Sequence, residues 1–295
     1  MKNQKMAYFY AICAVLVWST VASAFKISLK YLNFLQLLLI STFVSTAILL
    51  VLLIAQNKLK NLKKYTLKDF IHSALLGFLN PFLYYILLFK AYSLLPAQEA
   101  QPLNYTWPIM LTLLSIPILK QKVSIKSIIS IVISFIGVLI ISTQGNLLNI
   151  SFTNLNGALL AISTAVIWAF FWIYNTKDKR DEITKLFLNF AFGFIYIFIA
   201  TIIFSKIETP DLNGLLGASY IGLFEMGITF VIWSKALQLS TSTAKVSKFI
   251  YLVPFLSLVI VYFILGEKIL ISTIVGLVFI VVGIVLEQIN KSKIH

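Results

Sequence analysis

Long apolar runs alternate with short polar clusters along the whole chain. The runs cover about residues 7–29, 34–55, 70–92, 95–118, 124–143, 155–175, 186–204, 214–237, 243–265 and 270–289. Each is long enough for a helix to cross a hydrocarbon layer about 30 Å thick, which takes about 20 residues. Val123 to Ile141 and Ile269 to Leu286 are nearly continuous apolar stretches, whereas the strands of a membrane β-barrel are shorter and alternate. A helix also satisfies its own backbone groups, as lipid demands. The pattern predicts an all-α polytopic membrane protein with ten transmembrane helices. The first run follows Lys2 and Lys5 and imitates a signal peptide, but its length and the nine spans behind it predict a retained helix.

The order of residues repeats. Ala161 to Trp168 lies over Ala11 to Trp18, bringing Trp168 onto Trp18. Further on, Gly77 to Ala91 aligns with Gly222 to Ala236, and Tyr105, Pro108, Lys122 and Gly137 align with Tyr251, Pro254, Lys268 and Gly283. Residues 1–150 and 151–295 therefore read as two repeats of five spans. Five is odd, so the second half enters the membrane with opposite polarity, which predicts a pseudo-two-fold axis in the membrane plane. Inverted repeats of this kind characterise alternating-access transporters, whose sites lie near the bilayer midplane.

Composition agrees: 60% of the 295 residues are hydrophobic, 12% are charged and the mean hydropathy is +0.95. Soluble domains carry about 45–50% apolar and about 25% charged residues. The net charge of +14 is spread in short clusters between spans, which predicts topology determinants and no nucleic-acid partner. With the N-terminus in the cytoplasm, that side receives Lys2, Lys5, the lysines from Lys58 to Lys68, Lys120, Lys122, Lys126, the group from Lys177 to Lys185, Lys291 and Lys293. The other side receives Lys26, Lys30, Lys206 and Lys268. The imbalance predicts a multi-pass cell-membrane protein with both termini cytoplasmic, in the inner membrane if the source is bacterial. Arg180 is the single arginine, which disfavours bidentate anion clamps. Cys13 stands alone, and His72 and His295 are too few and too far apart for a metal site, so no metal or other cofactor is expected.

Candidate chemistry concentrates in the fourth span, which holds Pro96, Pro102, Pro108 and Pro117. Each proline removes a backbone donor, so this helix should bend, making Pro102 and Pro108 candidate hinges. Gln98, Gln101 and Tyr105 recur at helical spacing with Asn104 beside them, giving one polar and aromatic face toward the bundle. Such amides and phenols suit the backbone of an amino acid. Tyr105, Trp107, Trp168 and Trp172 offer apolar walls or cation–π contact to an ammonium group, with interfacial anchoring the alternative for the tryptophans.

An ionisable group inside a span points to function because burying it is costly. Glu225 is expected about 16 Å into the eighth span, roughly half way through a 30 Å core, and Lys248 about 8 Å into the ninth. The two either surround substrate or form a permanent ion pair. Glu99, a candidate gate residue, is expected near the outer end of span four, level with Lys26 and Lys90. These charges either pair across the mouth or are solvated.

Leu16-Val17-Trp18-Ser19-Thr20 resembles the first-helix tryptophan segment of the drug/metabolite transporter superfamily, whose halves are EamA domains. Leu265-Gly266-Glu267-Lys268 resembles the "LGE" ending of its penultimate helix, while the equivalent Leu119-Lys120-Gln121-Lys122 lacks the Gly-Glu pair. Within that superfamily, Asn104-Tyr105-Thr106-Trp107-Pro108, Trp168 and Asn175 resemble the YddG-type amino-acid exporters. The resemblance implies a ten-helix basket with a cavity lined by spans one, three, four, six, eight and nine. It also implies export of amino acids or related metabolites, with Trp18 and Tyr251 joining the site. Cationic drugs and nucleotide-related metabolites are the alternative cargoes. A lipid-modifying enzyme would need metal-binding acids, a His/Asp pair or an activated nucleophile, and no phosphate-binding loop marks an ATP-driven pump. The expected partners are a small-molecule substrate and the bilayer, with the chain acting as a monomer.

Overall fold

The computed structural model describes residues 3–119, 125–146, 153–206, 209–240, 246 and 248–291. Among these, the regular structure is helical throughout. Helix α1 spans Gln4–Ser28, α2 Phe34–Ala55, α3 Leu67–Gly77, α4 Tyr84–Leu94, α5 Ala97–Asn104, α6 Trp107–Leu119 and α7 Ile125–Ser142. In the second part α8 spans Leu155–Lys177, α9 Glu182–Phe204, α10 Leu212–Tyr220, α11 Thr229–Leu239, α12 Val253–Leu265 and α13 Ile271–Lys291. Two π-helical segments, Phe78–Leu83 and Ile221–Ile228, join α3 to α4 and α10 to α11.

Six helical stretches among the described residues are long and apolar enough to cross a membrane: Gln4–Ser28, Phe34–Ala55, Leu67–Leu94, Leu155–Asn175, Glu182–Phe204 and Leu212–Leu239. Shorter apolar helices cover Ile128–Ser142, Phe249–Leu265 and Ile271–Leu286. Large apolar side chains such as Phe198, Ile203, Val259 and Phe263 point outward with no protein over them. A soluble monomer rarely exposes so much contiguous apolar surface; in a bilayer it faces lipid. The chain is a multi-pass membrane protein.

Packing follows a regular scheme. Helix α1 lies against α11 and α12, α8 lies against α4, α5 and α6, α2 pairs with α9, and α7 runs along α13. Close approach rests on small residues. A side chain at Gly283 would collide with Ser130 and Ser134 on α7, and one at Gly137 with the backbone of Gly276. Gly77 and Gly193 bring the first π segment equally close to α9, where Gly193 meets the ring of Pro81.

The expected bend in span four is a break between α5 and α6 at Tyr105 and Thr106. Pro102 lies in the last turns of α5, and Pro108 is the second residue of α6, where a missing N–H costs nothing. Spans three and eight are interrupted too, which the apolar pattern did not indicate. At Asn80 the backbone leaves helical geometry (φ −146°, ψ 118°), and Pro81 follows with no donor.

Between α8 and α9, Asp178 accepts both Arg180 Nε (2.9 Å) and Arg180 Nη2 (2.6 Å). The same guanidinium donates to the Asp69 carbonyl (2.8 Å) and the Ser73 hydroxyl (2.9 Å) on α3. Lys58 donates to Asp181 at 2.7 Å. These bonds tie the α8–α9 turn to the base of α3. Burial opposes the charge of Asp178, but Arg180 outweighs it and holds the carboxyl below its ordinary pKa of 3.8. A depressed carboxylate stabilises the fold fully above its unfolded pKa, and that stability is lost as pH falls through the folded value. Asp178→Asn is therefore expected to lower the thermal midpoint of detergent-purified protein at pH 7 by several degrees, since removing one partner of a buried charge pair costs about 3–5 kcal/mol. The deficit should vanish on acidification below that window; equal midpoints at neutral pH would count against the role of this pair.

Candidate functional site

The π segment of the eighth span positions the central carboxylate. Widening the helix by one residue per turn leaves carbonyls short of their usual donors, and in lipid those oxygens need partners. Hydroxyls supply them. Ser45 on α2 donates to the Met226 carbonyl (2.8 Å), Ser41 to that of Ala218 (2.9 Å), and Thr229 to that of Phe224. Gly222 permits this approach, because a side chain there would strike the Ser41 backbone. The segment thus holds Glu225 in the interior of the bundle, half-buried rather than sealed.

The Tyr85 hydroxyl donates to Glu225 Oε1 at 3.0 Å, and Trp18 lies beside the same carboxylate. Trp18 meets Phe230 edge-on at 6.1 Å between centroids, Phe230 meets Trp168 at 5.8 Å, Trp168 meets Tyr84 at 4.7 Å, and Tyr84 meets Tyr85 edge-on at 4.7 Å. The circuit closes on itself: one carboxylate and five aromatic rings. Trp18, Tyr84 and Tyr85 come from the first half of the chain, Trp168, Glu225 and Phe230 from the second. Trp18, Trp168 and Glu225 are each only partly covered. A carboxylate beside ring faces suits a positively charged amine.

A second polar group adjoins the ring. Asn104, at the end of α5, donates from Nδ2 to the Thr164 hydroxyl of α8 (2.8 Å) and lies 3.3 Å from the Tyr84 hydroxyl. Gln101 is buried one turn away, and Tyr105 stands at the break between α5 and α6. Tyr251 is buried in the main apolar core just before α12. Trp172 lies 6.0 Å from Trp168.

Other expected residues lie elsewhere. Both polar atoms of the Gln98 side chain are engaged by the loop before α13 and the first turn of α13: its Nε2 donates to the Lys268 carbonyl (2.9 Å), and its Oε1 accepts from Leu270 N–H (3.0 Å) and the Thr273 hydroxyl (3.2 Å). Among the described residues Glu99 has no lysine partner, and it is not solvated. It is 1% exposed and accepts from Gln144 Nε2 (3.1 Å) and the Thr153 hydroxyl (3.2 Å). Lys26 instead donates to the Tyr92 and Leu95 carbonyls, both at 3.0 Å, and Lys90 lies over the Phe34 ring. The side chain of Lys248, with Lys245, lies outside the described residues. Among the described residues no cluster of His, Cys, Asp and Glu could hold a metal ion.

Tyr84, Tyr85, Phe230 and Thr164 were not singled out from the sequence. A signal existed for two of them: Tyr85 falls on Phe230 in the aligned segment that brings Gly77 onto Gly222. Five residues separate Glu225 from Phe230, a spacing that shares a face in a π turn and not in an α-helix. The same register brings Asn80, fully buried in the first π segment, onto Glu225.

Comparison with known proteins identifies relatives of the whole chain. The sequence pattern of the EamA-like transporter family matches residues 5–143 and again residues 155–287. An uncharacterized transporter of Clostridium kluyveri is 27% identical, covering 98% of this chain and 95% of its own. The uncharacterized transporters YvbV and YoaV of Bacillus subtilis are 28% and 25% identical, covering 83% and 96% of this chain and 79% and 96% of theirs. One crystal structure superposes with a TM-score of 0.69 at 18% identity, covering 99% of this chain and 100% of that one, which shows a shared fold.

Asn104→Ala would leave the Thr164 and Tyr84 hydroxyls without their amide partner. A loss of about 1–3 kcal/mol is expected, read as a lower thermal midpoint in detergent with helix content unchanged; an unaltered midpoint would mean that this amide does not tie α5 to α8.

Proposed function

The chain belongs to the EamA-like transporter family, and from that premise we propose that it is a secondary transporter exporting small metabolites with an amino group, amino acids first among them. The observation that carries the reading is the ring around Glu225, closed by groups from both halves of the chain. An ammonium group lies against the carboxylate and the ring faces, and the amides of Asn104 and Gln101 take the polar remainder of the cargo.

The reading includes ten spans arranged as two inverted repeats, residues 1–150 and 151–295. The double family match supports it, as do the paired π segments and the reciprocal packing of α1 on α11 and α12 and of α8 on α4, α5 and α6. Breaks at the midplane with a polar site between repeats suit alternating access, in which one bundle rocks against the other. Cargo gradients suffice to drive it. The lysine distribution supports cytoplasmic termini. A cationic amine lacking a carboxylate would satisfy the same ring, which makes organic cations the second reading.

Reconstituted protein should show counterflow of at least one labelled compound in a screen of amino acids, amines and purines. Glu225→Gln should lower that flux at least about tenfold in normally inserted protein, because the ammonium loses its ionic partner. Wild-type flux in the variant would remove Glu225 from the site, and flux no greater than in empty liposomes across the screen would remove the proposed cargo classes.

A further inference from the structure

Helix α5 begins without a cap of its own. Its first flanking residue is Pro96, which has no side chain able to accept the free N–H groups of the first turn, and such groups need partners. The partner comes from the other half of the chain. Glu267 Oε1 accepts from Ala97 N–H (3.0 Å) and Oε2 from Gln98 N–H (3.2 Å). A carboxylate at a helix N-terminus also meets the positive end of the helix dipole. Gly266 makes this possible. It ends α12 in the left-handed region (φ 67°), its N–H returning to the Tyr262 carbonyl at 3.1 Å, and the chain then turns back toward α5.

The contact is reciprocal, since Gln98 grips the segment that follows Glu267 through Lys268, Leu270 and Thr273. Five hydrogen bonds therefore join α5 to the α12–α13 loop and the first turn of α13 at one end of the molecule. The lysine distribution makes this end the exterior. In the repeat, Glu267 falls on Gln121 and Gln98 on Ala244, so the positions related by the pseudo-two-fold axis carry neither the carboxylate nor the second amide.

We propose that Glu267 and Gln98 form a one-sided latch that holds the outer mouth shut and biases the resting transporter toward the state open to the cytoplasm. The reading rests on the alternating-access proposal but not on the identity of the cargo. Opening outward requires Glu267 to leave the α5 terminus, exposing two backbone donors and a carboxylate that a hydrated mouth can then solvate. An exporter gains from the bias, because the unloaded carrier waits on the side where cargo is collected. A state held by differential contacts shifts by as much as those contacts contribute.

Distance measurement between spin labels tests this without any cargo. Ser93 and Ile271 are exposed and flank the latch on its two sides, so both are replaced by cysteine in a Cys13→Ser background and labelled in reconstituted protein. The unmodified latch should give one dominant short distance. Glu267→Ala should raise the ratio of long to short populations about tenfold or more, the effect of losing charge-assisted bonds. Glu267→Gln should give a smaller rise and guards against misfolding of the alanine variant, while Gln98→Ala removes the reciprocal arm and should act in the same direction. Distributions unchanged in Glu267→Gln and Gln98→Ala proteins that elute as the parent does would overturn the latch. Counterflow could persist in that case, so failure of the latch is distinguishable from failure of the transport reading.

Discussion

Hydrocarbon offers no hydrogen bonds, so helix ends and helix breaks in or beside it find their partners within the protein. Helix α5, flanked by Pro96, takes the Glu267 carboxylate from the other part of the chain; around the widened segment Ile221–Ile228, the carbonyls of Ala218, Phe224 and Met226 take the hydroxyls of Ser41, Thr229 and Ser45. Lys26 closes the end of α4 in the same manner through the Tyr92 and Leu95 carbonyls. Ser41, Ser45 and Glu267 each complete backbone groups that lie in the other part of the chain.

The same dependence links fold to site. Widening the eighth span turns Glu225 and Phe230 onto one face, where Tyr85 and Trp18 from the first half reach the carboxylate. Had the span continued as a regular α-helix, Phe230 would point away from Glu225 and the ring would be open. Small residues allow the approach: Gly222 against α2, Gly77 and Gly193 between the third and seventh spans, Gly137 and Gly283 between α7 and α13.

Helix content and membrane residence were legible in the sequence because hydrocarbon thickness fixes the length of an apolar run, and the prolines of span four announced its break. Glu225 was legible as a rare acid in an apolar span. Its ring was not, since helical spacing was read with an α period where the backbone is π, and Tyr84 and Phe230 look like core residues. Glu99 was misread for a different reason: sequence position gives the depth of a charge but not what closes over it, and Gln144 and Thr153 lie far along the chain. Gln98 looked like a cargo ligand, yet its amide is taken by a loop from the opposite half.

The central claim is that the ring around Glu225 is reached from both sides of the membrane in turn. Phe230→Cys in a Cys13→Ser background puts one thiol on that ring. Sealed vesicles are exposed to an impermeant thiol reagent from each face separately. Alternating access predicts labelling from both faces, faster from the cytoplasmic side and suppressed by transported cargo. Labelling from one face alone, or from neither in correctly inserted protein, would contradict it.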